Sequence, residues 1–489
     1  MSSVSSVVQT TYFSMNNINQ AATITTKPTE PVEHTLYEIR KKIYPRAVSG
    51  NFATWRWVFV WLTQVVFYGL PWLPWNDRQA VLFDLAARKF YILGLVLWPQ
   101  DIVYLTVLLV ICAYSLFLFT AIAGRLWCGY ACPQTVYTEM FLWIERKVEG
   151  ERLARMKLDQ GGVSARKLRL KVIKHALWIA LALWTGFTFV GYFTPITHLW
   201  SEVWSASLGP WESFWVVFYG FATYGNAGWM REQVCKYMCP YARFQGVMFD
   251  PDTLIITYDG TRGEPRGARG RSVDYKAKGL GDCVDCGICV QVCPTGIDIR
   301  NGLQYECIGC GACIDGCNQV MAKLDYPKGL IRYSTEHAIA RNLNSRQIVR
   351  RTLRPRVLLY SGILVAISVI ALLTLAARVP VKVDVIRDRA NVTRDATDPL
   401  VQNVYRLQIM NTQERPAQFS IAVAGIDGAK LLGDAQRVQV GPATSKWVPV
   451  RVEAPRRNAK PGSNRIEFIV ESSGEHSVRI VERTTFVVQ

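Results

Sequence analysis

Histidine is nearly missing from this chain, with five residues in 489. His175 and His198, the two nearest the apolar runs, cannot pair as axial ligands within them, which excludes a haem held between membrane helices. Cysteine is absent beyond Cys317, and the thirteen present are not spaced like the bridges of a secreted domain; short-spaced sets of this kind read as metal ligation in a reducing compartment. The Gly-Lys-Ser/Thr of a phosphate loop is also missing: residues 260–271 are basic and glycine-rich but lack it, and are expected to form a solvated loop near a membrane. The first 33 residues have neither the basic start nor the apolar stretch of a signal peptide; rich in Ser, Thr, Asn and Gln, they read as a disordered tail. Acidic residues are outnumbered, 38 against 56 basic, for a formal net charge of +18. Such a balance serves nucleic-acid binding or the cytoplasmic face of a membrane protein, and the placement of the charges favours the membrane over nucleic acid.

The length calls for three or more domains. Half of the residues are hydrophobic, yet the mean hydropathy is only just positive, as expected for a few spans joined to soluble parts. A span takes about 20 apolar residues. Five runs approach that length: 55–72, 102–123, 176–193, 214–229 and 357–377. Residues 90–98 are too short and read as an interfacial or re-entrant piece. Arg40, Lys41, Lys42 and Arg46 precede the first run, eleven basic residues separate the second from the third, and six arginines from Arg341 to Arg356 precede the fifth. The loop 194–210 has none. Five spans with this asymmetry put the N-terminus inside, the C-terminus outside and every paired cysteine in the cytoplasm.

After the fifth run the texture changes to short alternating segments at 381–386, 404–410, 419–423, 446–452, 465–470 and 478–488. That pattern predicts an antiparallel, immunoglobulin-like β-sandwich without an inter-sheet disulfide. The expected organisation is a tail (1–35), a membrane domain of four helices (36–250), a ferredoxin-type domain (251–340), a fifth transmembrane helix (341–379) and an outer β-domain (380–489).

The chemistry is concentrated in Cys283, Cys286, Cys289 and Cys293-Pro294, followed by Cys307, Cys310, Cys313 and Cys317. Two Cys-x2-Cys-x2-Cys-x3-Cys runs predict two [4Fe–4S] clusters, each taking three local thiolates and a fourth from the other run. Cys283, Cys286, Cys289 and Cys317 then hold one cluster, and Cys307, Cys310, Cys313 and Cys293 the other. Gly287, Gly309 and Gly311 suit the tight turns this needs, and Asn318 replaces the closing proline of the second run. A pair of zinc sites is the alternative, but zinc frameworks rarely repeat this spacing.

A weaker repeat follows the second and fourth apolar runs: Cys128-x3-Cys132-Pro133 and Cys235-x3-Cys239-Pro240. On a helix each pair would share one face. Two thiolates suit Cu(I), or they can cycle between dithiol and disulfide; the plainer reading is small buried residues at the membrane edge. Met238 is a thioether ligand or simple packing. Asp101 is an intramembrane functional group or a helix cap, and Cys112 reads as a small core hydrophobe.

Trp98-Pro99-Gln100-Asp101, the stretch from Gly124 and Arg125 through Cys128 and Cys132 to Gln134, Cys239-Pro240-Tyr241-Ala242-Arg243, and Arg262-Gly263-Glu264-Pro265-Arg266-Gly267, together with the double cysteine run and the terminal β-domain, resemble the FixG/CcoG/RdxA family of cbb3-type cytochrome c oxidase accessory proteins from about residue 35 onward. The cysteine hairpins alone also resemble the membrane components of NapH-type quinol dehydrogenases. The family resemblance implies five spans in the bacterial inner membrane, two cytoplasmic clusters, a periplasmic immunoglobulin-like domain and reduction of Cu(II) to Cu(I) for oxidase assembly. It further implies an electron donor, a quinol or a soluble reductant, and a copper transporter or chaperone as acceptor, with Cys128, Cys132, Cys235 and Cys239 handling the copper. A pure electron relay and an oxidase assembly scaffold are the competing roles.

Overall fold

Long apolar segments must satisfy their own backbone hydrogen bonds in lipid, so helices are the form they take. All five expected runs are helical in the computed structural model, which describes residues 42–271, 274–392, 399–433, 437–473 and 478–488; the expected disordered tail lies outside them. Among the described residues, three helices are long and apolar enough to cross a membrane: Pro99–Ala123, Ala165–Val190 and Pro355–Ala376. The expectation of five spans is corrected to that extent. The first run forms α1 (Asn51–Gly69), which carries Arg56 and Gln64 on its buried side. The fourth forms a helix of only 14 residues before its backbone widens into a π-helical stretch, Tyr224–Met230.

From the first span helix onward the order is α2 (Ile102–Ala123), α3 (Leu126–Tyr130), α4 (Pro133–Glu149), α5 (Arg152–Gln160), α6 (Ala165–Val190), α7 (Ile196–Trp204), α8 (Pro210–Thr223) and α9 (Pro240–Met248). Small residues let α6 and α8 touch backbone to backbone: a Cβ on Gly186 would stand 2.3 Å from the Val216 carbonyl oxygen, the close approach that membrane helices use in place of a hydrophobic driving force. Cys112 corrects the expectation of a core residue, because it is exposed on α2. An all-apolar helix offers no polar face by which its inner and outer sides can be told apart in the sequence.

Residues 90–98 are not a re-entrant piece. Val81–Asp84, Lys89–Ile92 and Leu95–Leu97 pair in that order as an antiparallel sheet, with Phe83 opposite Phe90 and Tyr91 opposite Val96. The sheet is tied to the end of α6 by the Phe83 amide, which donates to the Tyr192 carbonyl at 2.7 Å. A positive φ at Leu93 makes the turn that the apolar run concealed.

The cysteine-rich region is framed by Ile255–Tyr258, paired antiparallel with Ile331–Ser334. Ile256, Ile299, Ile314, Met321 and Ile331 pack with Cys283 and Cys289 between that ribbon and the helix Ala312–Lys323. Beyond the fifth helix lies a sandwich of two antiparallel four-stranded sheets. One runs Val438–Val440, Ala417–Ala424, Gly462–Ser473, Arg479–Val488; the other Lys430–Leu432, Ser445–Pro455, Leu400–Asn411, Val381–Val392. Alternation on Leu400–Asn411 turns Val401, Tyr405, Leu407 and Ile409 into the shared core opposite Phe468 and Phe486. Six of the eight strands coincide with alternating runs in the sequence; the two three-residue strands are too short to show a period.

The two soluble parts attach at opposite ends of α2. At one end the Leu254 amide donates to the Ile122 carbonyl at 3.0 Å and Arg354 pairs with Asp250. At the other, Asp101 pairs with Arg378 at 2.7 Å and with Lys382, and Glu414 accepts from Trp75 at 3.2 Å. Of the two readings weighed for Asp101 the structure shows the cap: its carboxylate closes its own helical turn, accepting from the Trp98 amide at 3.0 Å.

Candidate metal centre

In each cysteine run the residue after the second cysteine is a glycine in the left-handed region, Gly287 at φ 63° and Gly311 at φ 73°, and each is followed at once by a helix, Ile288–Gln291 and Ala312–Lys323. Only glycine adopts that conformation without cost, so the spacing and the glycine together turn successive backbone N–H groups towards the same region as the thiols. Two cavities result. One, of about 330 Å³, is lined by Cys289, Cys293, Cys307, Cys310 and Cys313. The other, of about 360 Å³, is lined by Cys283, Cys286, Cys289 and Cys317. Each thus draws three cysteines from one run and the remainder from the other, and Cys289 borders both.

The donor sets and the room between them suit iron–sulfur cubanes. A tetrahedral zinc site needs sulfurs only about 3.8 Å apart, given a Zn–S length near 2.3 Å. Among the described residues no three His, Cys, Asp or Glu side chains converge closely enough to hold a single ion. Burial pushes the Cys289 thiol up to about 11 and those of Cys307 and Cys317 to about 12, and holds Cys313 well above its ordinary value. These groups bind metal only by giving up a proton, so loading is coupled to proton release. Arg300 borders the second cavity and is held by Asp298 at 2.6 Å. Asn318, in place of the closing proline, accepts from the Gly329 amide at 2.9 Å and closes the loop in another way.

The paired thiols are built differently from a single helical face. Cys128 lies in α3, whereas Cys132 is extended (φ −62°, ψ 128°) and caps α4. Cys235 lies in the π-helical turn Val234–Met238, whereas Cys239 is extended (φ −79°, ψ 109°) and caps α9. The following proline is the cause, because its ring disfavours helical geometry at the preceding residue. The break puts a bend between the two cysteines of each pair, and Cys235 lies near enough to Cys132, Cys128 and Cys239 to interact electrostatically with each. The Cys235 thiol is pushed up to about 12 by burial and then by the neighbouring Cys132, Cys128 and Cys239. Cys128 is raised to about 11 by burial and then by Cys132. Met238 is exposed.

Two of these four thiols pack against residues that line one of the two cavities. Cys128 and Cys235 pack on the apolar cluster of Val292, Ile308, Cys310 and Ala312, as does Cys313. The approach is close: a Cβ on Gly129 would stand 2.8 Å from the Gly309 carbonyl oxygen and 2.9 Å from the Cys310 Cα. Arg125, buried, donates to the carbonyls of Tyr305 and Ala242 and so ties both cysteine hairpins to the cysteine-rich region. The Ala53 amide at the start of α1 donates to the Asp315 carboxylate at 2.8 Å.

Sequence reasoning missed several of these partners. Gln245 is fully buried and accepts from the Cys128 thiol at 3.4 Å, and nothing in the sequence sets it apart. Also missed is a buried ion network in which Arg231 donates to Glu145 at 2.7 Å while Lys171 and Lys174 hold Glu149 at 2.8 and 2.9 Å; these charges had read only as topogenic. Residues 260–271, expected as a solvated loop, instead wrap the cysteine-rich region: Arg262 pairs with Asp282 at 2.5 Å, and Arg269 donates to the Gly281 carbonyl at 2.6 Å. His175 bonds the Tyr224 hydroxyl at 2.9 Å.

Comparison with known proteins agrees with this arrangement. A family profile described as a 4Fe-4S dicluster domain matches residues 230–336, one described as a 4Fe-4S binding domain matches 105–150, and one described as the IG-like fold at the C-terminus of FixG matches 371–489. The nitrogen fixation protein FixG of Rhizobium meliloti is 37% identical over 484 residues, covering 91% of this chain and 92% of its own. Protein RdxA of Cereibacter sphaeroides is 38% identical, covering 81% and 85%. A crystal structure of a FixG-related protein from Vibrio parahaemolyticus matches 22% of this chain and 95% of its own at 26% identity, with a TM-score of 0.19.

Proposed function

Because this chain belongs to the FixG/RdxA family of iron–sulfur electron-transfer proteins, we propose that it is a membrane oxidoreductase that reduces Cu(II) to Cu(I) at the group formed by Cys128, Cys132, Cys235 and Cys239. The observation that carries this reading is the packing of Cys128 and Cys235 on the same apolar cluster as Cys310 and Cys313. Bound to the eight cysteines of the two runs, [4Fe–4S] clusters supply single electrons. The rest is done by the chain. The close contact of Gly129 with Gly309 keeps the distance from the cluster-binding loop to the thiol group short. The thiols are half-buried, and sulfur donors favour the lower oxidation state of copper. Each Cu(II) takes up one electron and becomes Cu(I), while the thiols that hold it release their protons.

In this reading the clusters and paired thiols face the cytoplasm and the β-sandwich faces the periplasm of a bacterial inner membrane, in keeping with the excess of Lys and Arg before the first and fifth runs. The donor is a quinol or a soluble reductant. Copper(I) passes to a transporter or chaperone that serves assembly of a cbb3-type oxidase.

A second reading, an electron relay whose cysteine pairs cycle as dithiols, is favoured by one fact: no three described ligand side chains already converge for a single ion. Metal analysis of the anaerobically purified protein separates the two. About one copper per chain, lost when all four cysteines are changed to Ser, together with Cu(I) formed in step with reoxidation of dithionite-reduced protein, is the expected result. Reduced protein that stays reduced when Cu(II) is added sinks the copper reading.

A further inference from the structure

We propose that the protein binds a phosphate-bearing anion in a cavity of about 600 Å³ beside the Cys293 loop. Its walls include Arg46, Arg56, Arg146 and Arg155, with Glu139 the one carboxylate, and it is closed by Val292 and Pro294 of the cysteine-rich region. Arginine guanidinium groups present fixed forks of N–H donors that match phosphate geometry.

Three observations make this a built site rather than a solvated basic face. Arg56 and Arg155 are only 8% and 2% exposed, and the Nε of each is buried without a hydrogen-bond partner. A buried, unmet donor on a charged group is costly, and an anion in the cavity would meet it. The neighbouring carboxylates approach other atoms: Glu139 stands 3.6 Å from Nη1 of Arg56 and Glu145 stands 3.7 Å from Nη1 of Arg155, ion pairs too long to be hydrogen bonds. The wall is also fixed in place. The Arg46 amide donates to the Gln291 carbonyl at 2.8 Å, and Arg155 donates to the Pro45 carbonyl at 2.6 Å. The same chemistry is presented by the headgroup of an anionic phospholipid and by a free phosphate or nucleotide.

The site requires neither copper nor the paired cysteines, so its test stands apart from the reading above. Calorimetric titration of the full-length, iron-loaded protein in neutral detergent uses pyrophosphate, short-chain phosphatidylglycerol and, as control, short-chain phosphatidylcholine. Saturable binding of pyrophosphate, weakened about tenfold or more in Arg46→Gln/Arg146→Gln, is expected for a soluble source, since a lost charge-assisted hydrogen bond costs about that much. Binding of phosphatidylglycerol alone, weakened in the same variant, assigns the site to lipid. Glu139→Gln removes the competing carboxylate and is expected to tighten binding, which keeps the test open should the double variant fail to fold. Absence of saturable binding by either anion, binding unchanged by the double variant, or binding weakened by Glu139→Gln overturns the proposal.

Discussion

Gly129 shows how much a single hydrogen in place of a methyl group can decide. A Cβ there would overlap the backbone of Gly309 and Cys310, and backbone cannot swing aside as a side chain can. Gly129→Ala is expected to push the first cysteine hairpin away from the cysteine-rich region, costing about 1–3 kcal/mol as overpacking does. The measurements are thermal stability and the reoxidation rate of reduced protein by Cu(II), and both are expected to fall; an unchanged rate would show that the contact does not set the transfer distance. Thiol protonation provides a second residue-scale prediction. Burial pushes the Cys235 thiol up to about 12, well above its ordinary value, so the protonated form is favoured by the fold and the reactive thiolate appears only as pH climbs towards the higher value. In metal-free protein bearing Cys128→Ser, Cys132→Ser and Cys239→Ser, iodoacetamide alkylation of Cys235 is expected to reach half its limiting rate well above pH 9. A midpoint at or below 9 would mean that the thiol is open to water. The cysteines themselves were legible because their spacing is chemistry written directly in the sequence. Gln245 and Arg56 were not, because what distinguishes them is a neighbour more than 80 positions away in the chain.

Elements were legible where periodicity is sustained and unreadable where a short piece depends on its surroundings. The β-sandwich announced itself through alternation over six segments, whereas Val81–Leu97 did not, since an apolar run of that length serves a strand or a helix equally well. The π-helical turns around Tyr224 and Cys235 leave no mark in propensity, and they are why the fourth expected span falls short. Asp101 couples two elements that the sequence shows only as separate. Its side chain is almost fully buried and is shared by Arg378 and Lys382 at the exit of the fifth helix. Asp101→Asn leaves both cations facing a neutral group, and removing one partner of a buried ion pair typically costs about 3–5 kcal/mol. The expected outcome is faster amide exchange and easier proteolysis near residues 378–384, with the dicluster spectrum unchanged. Equal protection in the variant would show that the sandwich is held by its other contacts, such as Glu414 with Trp75.

At the scale of the whole molecule, the α2 helix separates two attachments that the sequence order does not predict. The cysteine-rich region sits between Ile122 and Arg354 at one end, and the sandwich docks beside Asp101 at the other. Nothing in the linear order says that residues 125–132 and 235–239 flank the same cavity as 307–313; that follows only once two hairpins and a ribbon are packed together. The arrangement has a functional consequence, since every group proposed to carry electrons lies at one end and none in the sandwich. Deleting residues 380–489 is therefore expected to leave iron content and Cu(II)-driven reoxidation per chain unchanged in detergent. The same deletion is expected to abolish whatever depends on the sandwich as a docking surface, which oxidase maturation in cells would report. Were iron content or reoxidation to fall with the deletion, the helix pair formed by α2 and Pro355–Ala376 would be transmitting structure between the ends. The two halves of the molecule would then have to be treated as one cooperative unit, in spite of the distance that separates their chemistry.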